Sequence, residues 1–345
     1  SKNYKFIPVL CDPSDYDAVV KELRENGETS LTTREYLAAK VFRHTASYDT
    51  MIASYLTERT GEKYPEKFTI TFDKVQELRY GENPHQSAAF YKGMNPQYSL
   101  ANAKQLHGKE LSYNNIQDGN AAIEILKDFE GQPAVVGLKH MNPCGVGIGK
   151  TIEEAWDKAY EADPVSIFGG IVAFNEPIHA SVAEKLSKIF LEIIIAPAFD
   201  EDAFEILSKK KNIRLMQLDT SLEVNAKYKV TNVNDGLLVQ DIDDHKITAE
   251  DLRCVTNRKP TEEELEQLLF AWKVVKHVKS NAIVLVKDNM TIGVGAGQMN
   301  RVGAAKIAIE QAGEKAKGSI MSSDAFFPMP DTVEEAVKAG VTAII

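Results

Sequence analysis

From about residue 68 onward, short apolar runs alternate with segments of helical spacing, and this alternation restricts the possible folds more than any other feature of the sequence. Residues 134–138 have the length and apolar character of a buried strand, and the Thr151-x-x-Glu154 pattern behind them is typical of a helix N-terminus. The same reasoning predicts strands at 171–174, 193–196, 213–218, 282–287 and 290–294, and helices at 181–190, 261–277, 301–312 and 331–339. This order of elements indicates α/β layers.

The N-terminal part of the chain has a different pattern. An apolar run at 6–10 predicts one strand, and helical spacing predicts helices at 14–26 and 32–58. The second helix is expected to begin at the capping pattern Thr32-x-x-Glu35. A chain of 345 residues exceeds the usual size of one hydrophobic core. Length alone therefore predicts two or three domains. A linker-like segment at 62–67 and a restart of the strand–helix pattern after residues 228–239 lead us to predict domains at 1–62, 63–220 and 221–345.

Composition excludes several classes of protein. The formal net charge is -10, whereas proteins that bind nucleic acid usually have a basic face. Three widely spaced cysteines predict no disulfide framework, and no stretch has the apolar length of a membrane span. Residues 1–20 lack a signal-peptide pattern. We expect a cytoplasmic protein without nucleic-acid or membrane partners, and the abrupt apolar runs near both termini suggest a fragment.

The segment LKHMNPCG, residues 138–145, contains a pair of side chains suited to catalysis. It follows a predicted buried strand, and open α/β sheets place ligands at such strand ends. His140 can move a proton near neutral pH, and Lys139 supplies a positive charge for a developing oxyanion. For an isolated pair of this kind, a structural histidine beside a solvated lysine is the simpler interpretation.

Cys144 in the same segment raises two rival hypotheses. A cysteine–histidine pair would act as the nucleophile of a hydrolase. A zinc deaminase would extend Pro143-Cys144 to P-C-x-x-C and carry His-x-Glu upstream, but position 147 is glycine and no His-x-Glu precedes it. We therefore expect no zinc, and a small buried residue in a turn is the simpler role for this thiol.

Four other segments are rich in groups that bind ligands. Arg79 offers a planar fork for phosphate, Arg301 follows a glycine-rich run at a predicted helix start, and Phe326 can stack on a flat ring. The Ser280-Asn281 pair precedes another buried strand. Each segment alone is equally consistent with an ordinary turn, so a non-catalytic nucleotide-binding module stays open.

Taken together and in order, these segments resemble the AICAR transformylase / IMP cyclohydrolase family. The matching segments are LRYGENPHQ, LSYNN, LKHMNPCG, DPVSIFGG, IIAPAF, KSNAIV, GVGAGQMNRV and SSDAFFP. The resemblance covers residues 76–345, and residues 1–60 resemble the end of the family's cyclohydrolase domain. It implies an α/β fold with two zinc-free cytidine-deaminase-like α/β subdomains, preceded by a partial cyclohydrolase-domain segment.

The resemblance also implies a reaction and its residues. The family transfers a formyl group from 10-formyltetrahydrofolate to the 5-amino group of AICAR, as a homodimer with the site at the subunit interface. His140 resembles the base that deprotonates the amino group, Lys139 the residue that stabilises the oxyanion or assists the leaving folate nitrogen, and Asn281 the residue that positions AICAR and the formyl group. The expected substrate-binding residues are Arg79, Tyr80, Gly169, Glu192, Arg301, Phe326 and Asp331. Potassium is a further expectation, near Ser280 and Asp324.

The cyclohydrolase activity of the family is expected to be absent from this chain. Only Lys2 resembles a residue of that site. Ring closure requires several residues preorganised by one folded domain. We therefore predict that the chain does not convert formyl-AICAR to IMP.

Overall fold

The fold is described from a computed structural model of residues 1–345, which contains nine α-helices. They are α1 (Tyr16–Asn26), α2 (Leu31–Thr60), α3 (Tyr113–Lys127), α4 (Ile152–Ala162), α5 (Ala180–Ser187), α6 (Glu201–Ser208), α7 (Glu262–Val275), α8 (Arg301–Ala312) and α9 (Asp331–Ala339). Thr151 and Thr261 cap α4 and α7 as predicted. The predicted start of α2 at Thr32 is wrong, because Ser30 caps this helix with its side chain.

Fourteen strands complete the secondary structure. They are β1 (Asp73–Leu78), β2 (Ala88–Lys92), β3 (Lys104–His107), β4 (Ala134–Lys139), β5 (Asn142–Ile148), β6 (Ile171–Phe174), β7 (Ile193–Ala196), β8 (Arg214–Gln217), β9 (Tyr228–Val233), β10 (Gly236–Asp241), β11 (Ile283–Lys287), β12 (Met290–Gly295), β13 (Ile320–Ser323) and β14 (Ala343–Ile344). The strand predicted at 6–10 is absent. The strand predicted at 134–138 is β4, which ends at Lys139, and a tight turn leads directly from it into β5.

Internal packing divides the chain into two compact units, Ser1–Asp73 and Lys74–Ile345. The first unit contains α1 and α2, and Lys2 lines a cavity of about 340 Å³ within it. In the second unit one sheet runs through both of the domains predicted for residues 63–345. The predicted boundaries after residues 62 and 220 stay predictions.

The main sheet has ten strands in the order β14-β13-β11-β12-β5-β4-β6-β7-β8-β3. Strands β6, β7 and β8 pair in parallel, as do β13 and β14. The remaining pairs are antiparallel, including the central pair β5 and β12, where Met290 lies opposite Gly147. Strands β1 and β2 form a separate two-stranded sheet, and so do β9 and β10.

Apolar layers cover both faces of the main sheet. Alternate residues of a strand point to opposite faces, so Val136 packs with α3 and α7, whereas its neighbour Val135 packs with α4, α5 and α6. Helices α8 and α9 cover the part of the sheet that contains β11 to β13. No helix combines the length and the apolar character that crossing a bilayer would require.

The two central hairpins repeat one arrangement. In β4–β5–α4 and in β11–β12–α8, the helix lies directly on the second strand of the hairpin. A side chain at Gly145 would overlap the carbonyl oxygen of Ala159 in α4, and one at Gly293 would overlap that of Ala308 in α8. Each turn immediately precedes the second strand of its hairpin, β5 or β12. Because these two strands are antiparallel neighbours, the two turns lie at opposite ends of the strands.

Candidate active site

The Lys139-His140 pair lies at the turn between β4 and β5. Lys139 ends β4 and pairs with Asn142 across the hairpin. His140 and Met141 form the turn, with left-handed φ angles of 52° and 59°. The Asp118 carboxylate on α3 accepts a 2.8 Å hydrogen bond from the Met141 N–H. This bond fixes the turn. His140 is exposed to solvent at the end of the two strands that the turn connects.

Asn142 connects the turn to the segment that contains Asn281. Its Nδ2 donates to the His140 carbonyl oxygen over 3.0 Å, and its Oδ1 accepts from the Lys279 N–H over 3.2 Å. Asn281 in turn donates to the Gln298 carbonyl oxygen through its N–H at 3.1 Å and through Nδ2 at 2.9 Å. The three residues predicted to be catalytic thus belong to one hydrogen-bonded region, and their roles stay predictions.

Arg301 is held within the protein and does not present an open fork. Its side chain is 10% exposed, its Nη1 donates to Ser323 Oγ over 2.8 Å, and the same nitrogen pairs with Asp324. Its Nε donates to the Phe326 carbonyl oxygen over 3.2 Å. These contacts hold the segment that carries Phe326, whose ring is exposed.

Asp324 is surrounded by hydrogen-bond donors. Its Oδ1 accepts from the Ala282 N–H over 3.0 Å and also from Arg301. Partial burial alone would raise the pKa of Asp324, but hydrogen bonds from Ser280, Ala282 and Arg301 hold it below its ordinary value. Donors of this kind satisfy an anion, and they compete with any cation for the carboxylate.

A second set of contacts leads from Lys139 toward Gly169 and Glu192. Lys139 Nζ donates to the Phe168 carbonyl oxygen over 2.9 Å. The Glu192 N–H donates to the carbonyl oxygen of the residue after Gly169 over 3.0 Å. The Glu192 carboxylate accepts from Arg214 Nη1 over 2.6 Å, so its charge is already paired. Gly169 and Glu192 therefore lie near the lysine end of the turn.

Three other predicted ligands are not joined to this region by a hydrogen bond or an ion pair. Arg79 donates to the Tyr80 hydroxyl over 3.1 Å, and its guanidinium carbon lies 4.8 Å from the centre of the Tyr80 ring. Asp331 is the first residue of α9 and accepts from the Thr332 N–H over 2.7 Å. Their place in the site stays a prediction.

A cleft of about 630 Å³ opens beside the turn, and Lys139, His140 and Cys144 are among its lining residues. Cys144 is buried, and burial raises the pKa of its thiol to about 12. The thiolate form that a nucleophile needs is therefore scarce near neutral pH, which argues against the cysteine-hydrolase hypothesis. No group of three or more histidine, cysteine or carboxylate side chains is arranged to hold a metal ion.

Two residues of the site, Asp118 and Asn142, were not predicted. Asn142 lies inside the LKHMNPCG segment. Its polar side chain, two positions after His140, could have identified it as a residue of the site from the sequence. Asp118 lies on α3, a helix that sequence patterns did not predict. Its contact with Met141 depends on how α3 packs against the sheet.

Comparisons with known proteins define the class of this protein. The family model described as "AICARFT/IMPCHase bienzyme" matches residues 1–311. This chain belongs to the AICARFT/IMPCHase bienzyme family.

Relatives with similar sequences carry one name, bifunctional purine biosynthesis protein PurH. The protein from Anoxybacillus flavithermus is 63% identical over 346 aligned residues, which cover 100% of this chain and 68% of the relative. The Bacillus subtilis protein is 61% identical, with 100% of this chain and 67% of the relative covered. The Bacillus cytotoxicus protein is 62% identical, with 100% and 68% covered. The chain thus spans about two thirds of the length of each relative.

Proposed function

We propose that this chain is an AICAR formyltransferase that uses 10-formyltetrahydrofolate in purine biosynthesis. The observation that carries the proposal is the Asn142 bridge, which joins the turn of Lys139 and His140 to the segment of Asn281. Sequence similarity to the bifunctional purine biosynthesis proteins supports it over the full length of the chain. We place this activity in the cytoplasm.

The chemistry sets three requirements. The 5-amino group of AICAR is a weak nucleophile, because its lone pair is delocalised into the imidazole ring. The enzyme must hold two large ligands together, remove a proton from the attacking nitrogen and stabilise a tetrahedral oxyanion. A histidine, a lysine and an asparagine in one region form a minimal set for these tasks.

In the proposed reaction the amino nitrogen bonds to the formyl carbon, and His140 takes its proton. Lys139 stabilises the oxyanion that forms on the formyl oxygen, using N–H groups that the Phe168 carbonyl oxygen does not occupy. When the carbon–nitrogen bond to the folate breaks, the protonated His140 passes this proton to the folate nitrogen, and tetrahydrofolate leaves. Asn281 holds the amino and formyl groups in line.

The residues proposed to bind the substrates differ in how directly they contact them. Arg79 and Tyr80 are directed to the nucleotide, and a lysine at position 79 is expected to bind AICAR more weakly because a point charge cannot replace the fork. Arg301 acts on the ligand mainly through the Phe326 segment that it holds. Gly169 and Phe326 are proposed as pocket walls. By resemblance alone, Asp331 is assigned to the folate side and Glu192 to substrate binding.

Potassium does not fit the side chains near Ser280 and Asp324. The Asp324 carboxylate is occupied by donors, including the Arg301 guanidinium. Replacing potassium with choline at constant ionic strength should leave formyl transfer unchanged, and a large loss of rate would reverse this conclusion.

A homodimer with the site at the interface belongs to the same proposal. Hairpin β9–β10 exposes apolar side chains, and a two-stranded sheet on its own is only marginally stable in water. The exposed residues are Val230, Val233, Leu237 and Leu238. A second copy of the chain would cover them. Light scattering of the purified chain should give twice the monomer mass, and a monomer at working concentrations would oppose the proposal.

The direct test is an assay with the purified chain, 10-formyltetrahydrofolate and AICAR. Tetrahydrofolate release should depend on AICAR, and mass spectrometry should detect formyl-AICAR in equal amount. Release without AICAR, or tight AICAR binding without transfer, would contradict the proposal. Incubation with formyl-AICAR tests the separate prediction that no IMP forms.

A further inference from the structure

The turn that carries His140 has a structural counterpart in the other central hairpin. Asp288 and Asn289 connect β11 to β12 with left-handed φ angles of 53° and 61°. The Asn289 N–H donates to Gln267 Oε1 on α7 over 3.1 Å, as the Met141 N–H donates to a carboxylate on α3. The two turns therefore share their backbone conformation and their anchor to a helix.

The position after the turn distinguishes the two hairpins. In the first hairpin it is Asn142, whose amide bonds both to the turn and to the Lys279 N–H. In the second hairpin it is Met290, a buried apolar residue of the core. The second turn keeps its left-handed conformation without an amide at this position. The Asn142 bridge is therefore not needed to form a turn of this kind.

The bridge connects two segments that the proposed reaction uses together. Lys279 lies two positions before Asn281, and its carbonyl oxygen accepts a 2.7 Å hydrogen bond from the Gly297 N–H. We propose that Asn142 is a positioning residue for formyl transfer, which holds the His140 backbone in register with Asn281. This inference rests on the proposed formyltransferase function and adds to it a residue that acts through His140.

The amide is suited to this task because it has a donor and an acceptor on one short side chain. Nδ2 faces a carbonyl oxygen, and Oδ1 faces an N–H group. A carboxylate at position 142 would keep the bond to Lys279 and would repel the His140 carbonyl oxygen. Alanine would leave both backbone groups without this partner. Asn142→Asp therefore removes the bond to the His140 carbonyl oxygen alone, and Asn142→Ala removes both bonds of the bridge.

The test is a double-mutant cycle measured by formyl transfer. A misplacement of about 1 Å in an active site lowers rates by up to about a hundredfold, so Asn142→Ala should lower kcat by about ten- to a hundredfold, with little change in the KM for AICAR. The same substitution in a His140→Ala background should cause almost no further loss, since the group that it positions is already gone. Asn142→Asp keeps the side-chain size and should show the same pattern. It can therefore replace the alanine variant in the test if that variant folds poorly.

The control is Gln267→Leu, which removes the helix anchor of the second turn, the counterpart of the Asp118 anchor in the first turn. It should lower thermal stability and leave kcat unchanged. Equal fractional losses from Asn142→Ala in both backgrounds, or a loss of kcat in Gln267→Leu as large as in Asn142→Ala, would overturn the inference. Failure of the unaltered chain to transfer formyl would instead refute the proposed function itself.

Discussion

The hairpins β4–β5 and β11–β12 share a backbone conformation at their turns and differ in side chains. In each hairpin a lysine precedes the turn, and its Nζ donates to a backbone carbonyl oxygen over 2.9 Å. The second turn uses Asp288 and Asn289, residue types that adopt left-handed backbone with little strain. The first turn uses His140 and Met141, which are less suited to that conformation.

This difference shows where the protein gives up local stability. A left-handed conformation costs roughly 1 kcal/mol for most residues, and the first hairpin bears this cost at two positions. Such departures from local preference are typical of functional sites, where the surrounding structure imposes them. Here the helix anchor from Asp118, which accepts from the Met141 N–H, supplies the constraint. The comparison therefore supports the proposed catalytic role of the first turn and favours a structural role for the second.

The largest expected effect is that of removing the imidazole. His140→Ala should slow formyl transfer by about two to four decades, the usual contribution of a positioned general base. AICAR affinity should change far less, because the loss falls in the transition state. Steady-state kinetics and isothermal titration measure the two quantities. Asp288→Ala is the matched control and should leave turnover unchanged, and near-normal turnover of His140→Ala would remove this residue from the mechanism.

The lysines before the two turns give the next comparison. Lys139→Met should lower kcat by about a hundredfold, because an oxyanion partner acts as charge develops. Lys287→Met removes a lysine with the same kind of backbone contact and should not affect transfer. Both variants can be compared in one assay. Equal losses in the two variants would mean that the contact to the carbonyl oxygen, and not the charge at the site, is what matters.

Asp128 links the helices that anchor the two turns. At the end of α3 it accepts from His277 Nε2 over 2.6 Å and from Lys276 Nζ, both of which follow α7. Burial alone would raise the pKa of Asp128, but these partners lower it overall. Asp128→Asn should lower the free energy of unfolding by about 2 kcal/mol near pH 7.

The pH dependence of this loss follows from the sign of the pKa shift. A carboxyl group with a lowered pKa in the folded state contributes its full stability above its unfolded pKa of about 4. That contribution disappears as the pH falls through the folded pKa. Urea unfolding should therefore show a gap between the two proteins at pH 7 that closes in acid. A gap that stays constant with pH would exclude the charge as its cause.

The smallest expected effect concerns backbone strain. Met141→Gly should raise the free energy of unfolding by up to about 1 kcal/mol, since glycine adopts the left-handed conformation without a steric penalty. Met141 is 49% exposed, so little packing is lost. Asn289→Gly should stabilise less, because asparagine already tolerates this conformation. Urea denaturation of both variants measures the difference, and an equal or larger gain from Asn289→Gly would contradict the comparison of strain.

Sequence patterns predicted some elements closely and missed others. Helices α4 and α7 begin at their predicted threonine caps, and the strand predicted at 193–196 coincides with β7. Helix α3 was missed because three asparagines and a glycine within it weaken the helical pattern. In the structure, Ser112 and Asn115 cap this helix, and its apolar side packs on the main sheet. Packing thus outweighed local preference, as it commonly does.

The sequence by itself determined the family, most of the helices and six of the fourteen strands, and it pointed to the Lys139-His140 pair, because these depend on ordered motifs and on the spacing of neighbouring residues. Tertiary structure decided which strands pair, that Arg301 bonds to Asp324, and that Asn142 reaches Lys279. These contacts join segments that lie far apart in the chain. Their partners are selected by how the helices pack on the sheet, and local periodicity contains no information about that choice.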